Sequence, residues 1–377
     1  MSQSEPDAIS DALERLEWGD ERARRASRAL RLTRRSALTG GAAGLVAALL
    51  DACGSASGNG TTTIQAPANP VPAIFGVKGN YRFTFVNHAR ANAFFVPTVN
   101  GIQDACRLLN CSYEWTGSTS SSVQQMASAI NTAISARVDG IATSLISPLL
   151  AEPVDAAIRA RIPVIAYNAD APGTRRLAYI GQDPRQSGRE MGRRIRELLP
   201  GGGRIAVFIG VPGSTGVQPR LDGIREALAG TRLHVTSPAA GAGETQEQVA
   251  TDAFISAHRR RFRGYFGVDA GSTAGLALAI QKYGLTGKVV GGGFDLTPST
   301  ETLLAQGVIQ FAIDQQPYLQ GFLATLELFL YRATDGLIGP ADVDTGMKFL
   351  DRHTVGPYAT TSSRYEGTGT SAGIQRG

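Results

Sequence analysis

The stretch 289–317, VVGGGFDLTPSTETLLAQGVIQFAIDQQP, constrains the fold more than any other part of the chain. It opens on β-branched residues and glycines and reads as a buried strand ending at Phe294-Asp295. Thr297-Pro298 then starts a helix that runs to about Ala305, because proline suits the first helical turn. Gly307 stops it, and 308–313 reads as a second strand that ends in Asp314-Gln315-Gln316-Pro317. Strand, short helix, strand is a βαβ unit, and such units build open parallel sheets. Ligands of those sheets sit just beyond the carboxyl ends of the strands. Asp295 and Gln315 both fall at such ends, and a carboxylate and an amide there can grip hydroxyl groups from several directions.

The same alternation runs through most of the chain. Strands are expected at 82–86, 111–115, 140–146, 163–167 and 177–180, and again at 204–209, 233–236 and 265–268. Helices are expected between them, among them 123–136 with Met126, Ile130 and Ile134 on one face. A long helix from about Tyr318 to Tyr331 carries Leu319, Phe322, Leu323, Leu326 and Leu330, a stripe suited to a sheet. The loop after the strand at 204–209 is glycine-rich, but no G-K-[ST] follows it, so a phosphate site is disfavoured.

At 377 residues the chain is long enough for two domains. Its net charge of +5 owes much to one arginine cluster near the N-terminus and argues poorly for nucleic acid as a partner. Four histidines and three cysteines lack metal-ligand spacing. We therefore expect no metal or thiol catalysis and no cofactor; a proton-transfer enzyme stays open on that count, and the lack of a G-x-S-x-G, H-E-x-x-H or Walker A motif is what argues against an enzyme.

The first 53 residues read as an export signal. A basic run, Arg22, Arg24, Arg25, Arg28 and Arg31, leads to Arg34-Arg35 and then to a glycine- and alanine-rich apolar stretch, 36–50. That stretch is too short and too weakly apolar for a membrane span. The twin arginines resemble a Tat signal. Leu50-Asp51-Ala52-Cys53 resembles a lipobox, with Cys53 as the lipidated residue, although Asp51 departs from the small or apolar residue usual there; unlipidated cleavage near Ala52 is the alternative. Residues 54–78 form a Ser-, Gly- and Pro-containing tether. Cys106 and Cys111 remain, either as a disulfide pair in an oxidising compartment or as two small buried hydrophobes.

GFD followed by TP, then a strand ending in DQQPYLQG, resembles the periplasmic sugar-binding proteins of ABC transporters, the ribose-binding-like class, and the resemblance covers about 81–355. It implies an α/β, two-lobed type I periplasmic binding protein fold, each lobe a parallel sheet flanked by helices. The expected lobes are 79–182 plus 316–345, and 183–315 plus 346–357, with 358–377 a disordered tail. Asn92 with Phe94 and Phe95 is similar to the family's N-x-F-F loop, in which the amide takes sugar hydroxyls and a ring packs on the sugar. Trp115 is an alternative stacking residue. Asn168 stands where many members carry an aspartate. Ala169 replaces the arginine of ribose binders, with Asp170 as a substitute carboxylate. Arg220 matches the second arginine of R-x-R-x-x-G-F, and Gln218 replaces the first. Asp269, Asp295 and Gln315 complete the expected substrate-binding set.

The function so implied is capture of a simple sugar between the lobes and delivery to an ABC permease and its ATPase. The protein would be exported and held by Cys53 at the periplasm or outer face of the cytoplasmic membrane, and it is expected to act as a monomer. A non-sugar ligand such as an autoinducer or nucleoside is the alternative, followed by a ligand-sensing regulator.

Overall fold

The computed structural model describes residues 62–64 and 80–360. The export signal, Cys53, most of the tether and the tail beyond 360 lie outside the described residues.

Two sheets form. The first contains β1 (Thr62–Ile64), β2 (Arg82–Asn87), β3 (Ser112–Gly117), β4 (Gly140–Thr143), β5 (Val164–Tyr167) and β6 (Ala178–Gly181). The second contains β7 (Gly203–Phe208), β8 (Leu233–Thr236), β9 (Gly264–Gly267), β10 (Val290–Phe294) and β11 (Phe311–Asp314). Two late strands return to them: β12 (Val343–Asp344) adds to β6, and β13 (Lys348–Leu350) adds antiparallel to β11. The first sheet runs β1-β3-β2-β4-β5-β6-β12 and the second β13-β11-β10-β9-β7-β8. Both share one parallel core order, in which the first strand lies between the second and the third. The strand order reverses there, opening a crevice at the carboxyl ends.

Each sheet is covered on both faces, which is why β4, β5, β9 and β11 are buried along their whole length. On the first sheet, α1 (Val96–Leu109) and α9 (Pro317–Ala333) cover one face over Phe83, Phe85, Tyr113 and Tyr167. The opposite face packs Met126 and Ile130 of α2 (Val123–Ser135) and Val154 of α3 (Ala151–Arg159). On the second sheet, α4 (Pro184–Leu198) and α5 (Gln218–Leu228) cover Phe266, Phe294 and Phe311. The other face holds α6 (Glu244–His258), α7 (Ala270–Lys282) and α8 (Pro298–Ala305).

The chain passes between the sheets three times, after β6, after β11 and after β12. The crossings are tied together. Thr345 N–H donates to Gly181 O at 3.1 Å, Thr345 Oγ1 to Gln315 O at 2.9 Å, and Gln182 Nε2 to Gly346 O at 2.7 Å.

Some expected boundaries move. The strand expected at 140–146 ends at Thr143, and a 3-10 turn, Pro148–Leu150, follows. The strand expected from Val308 begins at Phe311, because the Gln310 side chain and backbone first close a turn onto Gly291 at 2.7 and 2.8 Å. A short helix α10 (Gly356–Thr360) carries ordered chain past the expected start of the tail at 358, and Tyr358 Oη donates to Asp314 Oδ2 at 3.2 Å. Cys106 and Cys111, read either as a disulfide pair or as two small buried hydrophobes, are close in space. Asn110, in a left-handed cap, brings Cys111 back over the last turn of α1, but both thiols are free and buried, with sulfurs 3.0 Å apart.

The α1–α9 contact depends on two glycines. A Cβ on Gly101 would overlap the Tyr318 carbonyl oxygen, and one on Gly321 the Thr98 carbonyl oxygen. Backbone cannot yield as a side-chain tip can. Gly101→Ala is expected to cost about 1–3 kcal/mol of folding stability, read as a lower denaturation midpoint in urea at unchanged slope.

Candidate functional site

The carboxyl ends of the two sheets face one another across a polar cavity. After β2, a short turn holds Asn92, whose Oδ1 accepts Phe94 N–H at 2.9 Å and caps the 3-10 helix Ala93–Phe95. That cap sets Phe94 and Phe95 at the wall, both buried, with rings edge-to-face at 4.8 Å. After β5, Asn168 adopts a left-handed backbone (φ 65°). After β10, Asp295 does the same (φ 75°). Strained conformations of this kind persist where surrounding contacts over-determine them. Here the contacts are explicit. Gln315 Nε2 donates to Asp295 Oδ1 at 2.6 Å, and Asn168 Nδ2 donates to Gln315 Oε1 at 3.3 Å and to Gln320 Oε1 at 3.2 Å.

From the second half come Arg220 and Asp269. Arg220 is 4 % exposed, donates from Nη1 to Val268 O at 2.9 Å and lies over the Phe294 ring at 4.0 Å. Asp269 caps α7 through Ser272 N–H at 2.9 Å and accepts Gly210 N–H at 2.7 Å. Asn92, Phe94, Phe95, Asn168, Arg220, Asp269, Asp295 and Gln315 thus line a single cavity. Its volume, about 90 Å³, is far below the roughly 300–1,000 Å³ of drug-sized sites and suits a small molecule.

Three expected site residues lie elsewhere. Trp115 is 8 % exposed, donates from Nε1 to Arg90 O at 3.2 Å and stands behind Phe95 at 6.1 Å, so it backs the aromatic wall without forming it. Asp170 does not supply a cavity carboxylate, because Arg176 pairs with it at 2.6 Å. Gln218 accepts Gly213 N–H and donates to Asp222, holding its own loop. Asp170 and Gln218 line a separate pocket beside β6 and β12.

Two titratable residues of the cavity, His88 and Glu247, are absent from the expected set. His88 directly follows β2, and its place at a strand's carboxyl end was the available signal. Ser144 Oγ accepts the His88 amide at 3.1 Å and lies 2.9 Å from Nδ1. Burial, aided by the charge of Arg220, pushes the imidazole down to about 4, so His88 is neutral at ordinary pH. Glu247 sits in the first turn of α6, where acidic residues usually face solvent, and the sequence carries no sign that it points inward.

Burial pushes Asp295 up to about 6, and Arg220 and the Gln315 hydrogen bond oppose that rise. The carboxyl is thus ionised at pH 7 and loses its charge in mild acid. The half-cavities also touch directly. Thr215 N–H donates to Ile146 O at 3.1 Å, and Thr215 Oγ1 donates to Leu145 O, so the loop after β7 closes onto the loop after β4.

The family model of the periplasmic binding protein domain matches residues 83–331. The xylose/arabinose-binding protein XylF of Sulfolobus acidocaldarius is 42% identical over 306 residues, covering 77% of this chain and 75% of that protein. A solute-binding protein of an ABC transporter from Burkholderia graminis, solved with D-arabinose, superposes with a TM-score of 0.68 at 24% identity over 75% of this chain and 99% of its own. GanP, a glucose-galactose binding protein from Geobacillus stearothermophilus, gives 0.66 at 22% identity over 73% and 99%. At such identities the solved structures speak for the fold alone.

Replacing Arg220 by methionine removes the one positive charge that opposes protonation of Asp295. The Asp295 carboxyl should then titrate above about 6, read from the pH dependence of its carboxyl carbon resonance.

Proposed function

The chain belongs to the periplasmic binding protein domain family, and on that footing we propose that it captures a neutral monosaccharide, a pentose such as xylose or arabinose, in the cavity between its two sheets and delivers it to an ABC permease. The observation that carries this reading is convergence. Asn92, Asn168, Arg220, Asp295 and Gln315 come from strand ends far apart in sequence and surround one small cavity. Amides and carboxylates offer paired donors and acceptors to vicinal hydroxyls, and Phe94 and Phe95 offer an apolar face to ring C–H groups. The 42% identical relative is named for xylose and arabinose, which supports a pentose.

In this reading the two sheets with their helices are the lobes, and the three crossings after β6, β11 and β12 are the hinge. A sugar bound to both lobes favours the closed arrangement, because it gains contacts there that the open one lacks. Closure excludes water and strengthens each hydrogen bond to the ligand. The wider proposal includes export through the Tat-like segment, acylation at Cys53 and a tether, 54–78, that keeps a monomeric binding domain near its membrane partner. The order of arginines, apolar run and cysteine in the sequence supports it.

Calorimetry on the mature protein with xylose and arabinose tests the reading, and absence of heat for every neutral sugar would overturn it. Asp295→Ala should weaken binding at least tenfold, since a charge-assisted hydrogen bond is worth about 1.5–3 kcal/mol. Wild-type affinity should also fall as the pH drops through about 6, where the Asp295 carboxylate gains a proton and ceases to be a full acceptor. Cys53→Ala, expressed from the full chain, should move the protein from the membrane fraction to the soluble exported fraction.

A further inference from the structure

Two carboxyl groups meet in the second-half wall of the cavity. Glu247 is 8 % exposed, on α6, and Asp269 stands at the start of α7. The space they occupy is kept by glycines. A Cβ on Gly271 would overlap Glu247 Oε2, and one on Gly210 would lie 3.0 Å from Glu247 Oε1 and 3.3 Å from Asp269 Oδ2. The two carboxyls differ in their partners. Both Asp269 oxygens accept backbone N–H groups, from Ser272 at 2.9 Å and Gly210 at 2.7 Å. Glu247 Oε1 accepts one long bond, from Gly243 at 3.3 Å, and no N–H or O–H donor reaches its buried Oε2 at ordinary hydrogen-bond geometry. An unpaired buried carboxylate oxygen beside a second carboxylate is costly on both counts, and a single proton removes both costs.

We propose that Glu247 is held as a neutral acid that shares its proton with Asp269, and that this pair sets the cavity for neutral sugars against sugar acids. The inference rests on the sugar-cleft reading given above. Burial, followed by the charge of Asp269 and a hydrogen bond to it, pushes Glu247 up to about 10, although the amides of Gly243 and Ser272 act against the rise. The other charged groups at this cavity are Arg220 and Asp295. At neutral pH the wall then carries Arg220 as one positive charge and Asp269 and Asp295 as two negative ones, a net charge of −1. The Arg220 guanidinium is turned to Val268 O and to the Phe294 ring. A uronate carboxylate would enter a field of its own net sign, whereas the hydroxyls of a neutral pentose meet acceptors and donors alike.

The sign of the pH effect follows from linkage. Above the carboxyl range of the unfolded chain, the folded protein keeps a proton that the unfolded one has lost, so stability falls as the pH rises toward 10. The test uses wild type, Glu247→Ala and Glu247→Gln. Calorimetry at pH 7 should show pentose affinity at least tenfold weaker in E247A and largely recovered in E247Q, whose amide keeps a donor toward Asp269. Galacturonate should bind wild type at least a hundredfold more weakly than the pentose. In the sugar-free protein, the melting temperature of wild type should fall more steeply between pH 5 and pH 9 than that of E247Q. Parallel melting curves, an E247Q as damaged as E247A, or galacturonate binding as well as pentose would each overturn the proposal. If no neutral sugar binds wild type, the sugar-cleft reading fails, and the melting curves still decide whether the proton is shared.

Discussion

The side-chain amide of Gln315 is the contact on which the arrangement turns. Its nitrogen donates to Asp295 at the end of β10, and its oxygen accepts from Asn168 at the end of β5, in the other sheet. An amide has one acceptor end and one donor end, so those two bonds fix which way it faces. Gln320 completes the knot from the first turn of α9, donating to the Gln315 backbone and sharing Asn168. Asp295 and Asn168 both hold left-handed backbones, a cost of order 1–3 kcal/mol for each in ordinary residues, somewhat less for Asp and Asn, which tolerate that region. The hydrogen-bond chain offsets that cost and leaves the polar edges of both residues directed at one cavity.

Much of this was legible from the chain itself. Parallel strands buried on both faces read as apolar runs, and their carboxyl ends announce where a ligand sits. Asp295 and Gln315 could therefore be placed from the β10–α8–β11 pattern, and Asn92 from its position before Phe94-Phe95. What could not be read was direction. Trp115 and Phe95 are equally apolar, yet the Trp115 indole is turned to Arg90 O and Phe95 is not. Asp170 follows the right strand, but Arg176, six residues on, reaches it first. Glu247 sits on a helix of weak amphipathic pattern, and only Gly210 after β7 and Gly271 in the first turn of α7 reveal the space that its carboxyl fills. Residues separated by tens of positions create that space, so no local pattern reports it.

The cavity's electrostatics follow from the same packing. It contains one guanidinium and three carboxyls, and burial raises the proton affinity of two of them, Asp295 and Glu247. Asp269 accepts two backbone N–H groups, from Ser272 and Gly210. His88 moves the other way and stays neutral, since burial and the nearby arginine both disfavour a second cation. The result is a wall rich in hydrogen-bonding groups and poor in net charge, which is the environment a neutral polyol can exploit and a charged solute cannot.

Three chain crossings restrict how the halves move. A single crossing permits swivel as well as opening, whereas three crossings linked by Thr345 to Gly181 and Gln315 leave bending about the line that joins them. Gln316 and Gly346, both with positive φ, sit within that line, where a change of backbone angle opens the cavity without disturbing either sheet. Ala270 of the second half is seated in the core cluster of the first sheet, and the polar contacts that such bending would break include Thr215 to the loop after β4 and Asn168 to Gln315. Each is a hydrogen bond that water can replace at a net difference of about 0.5–1.5 kcal/mol.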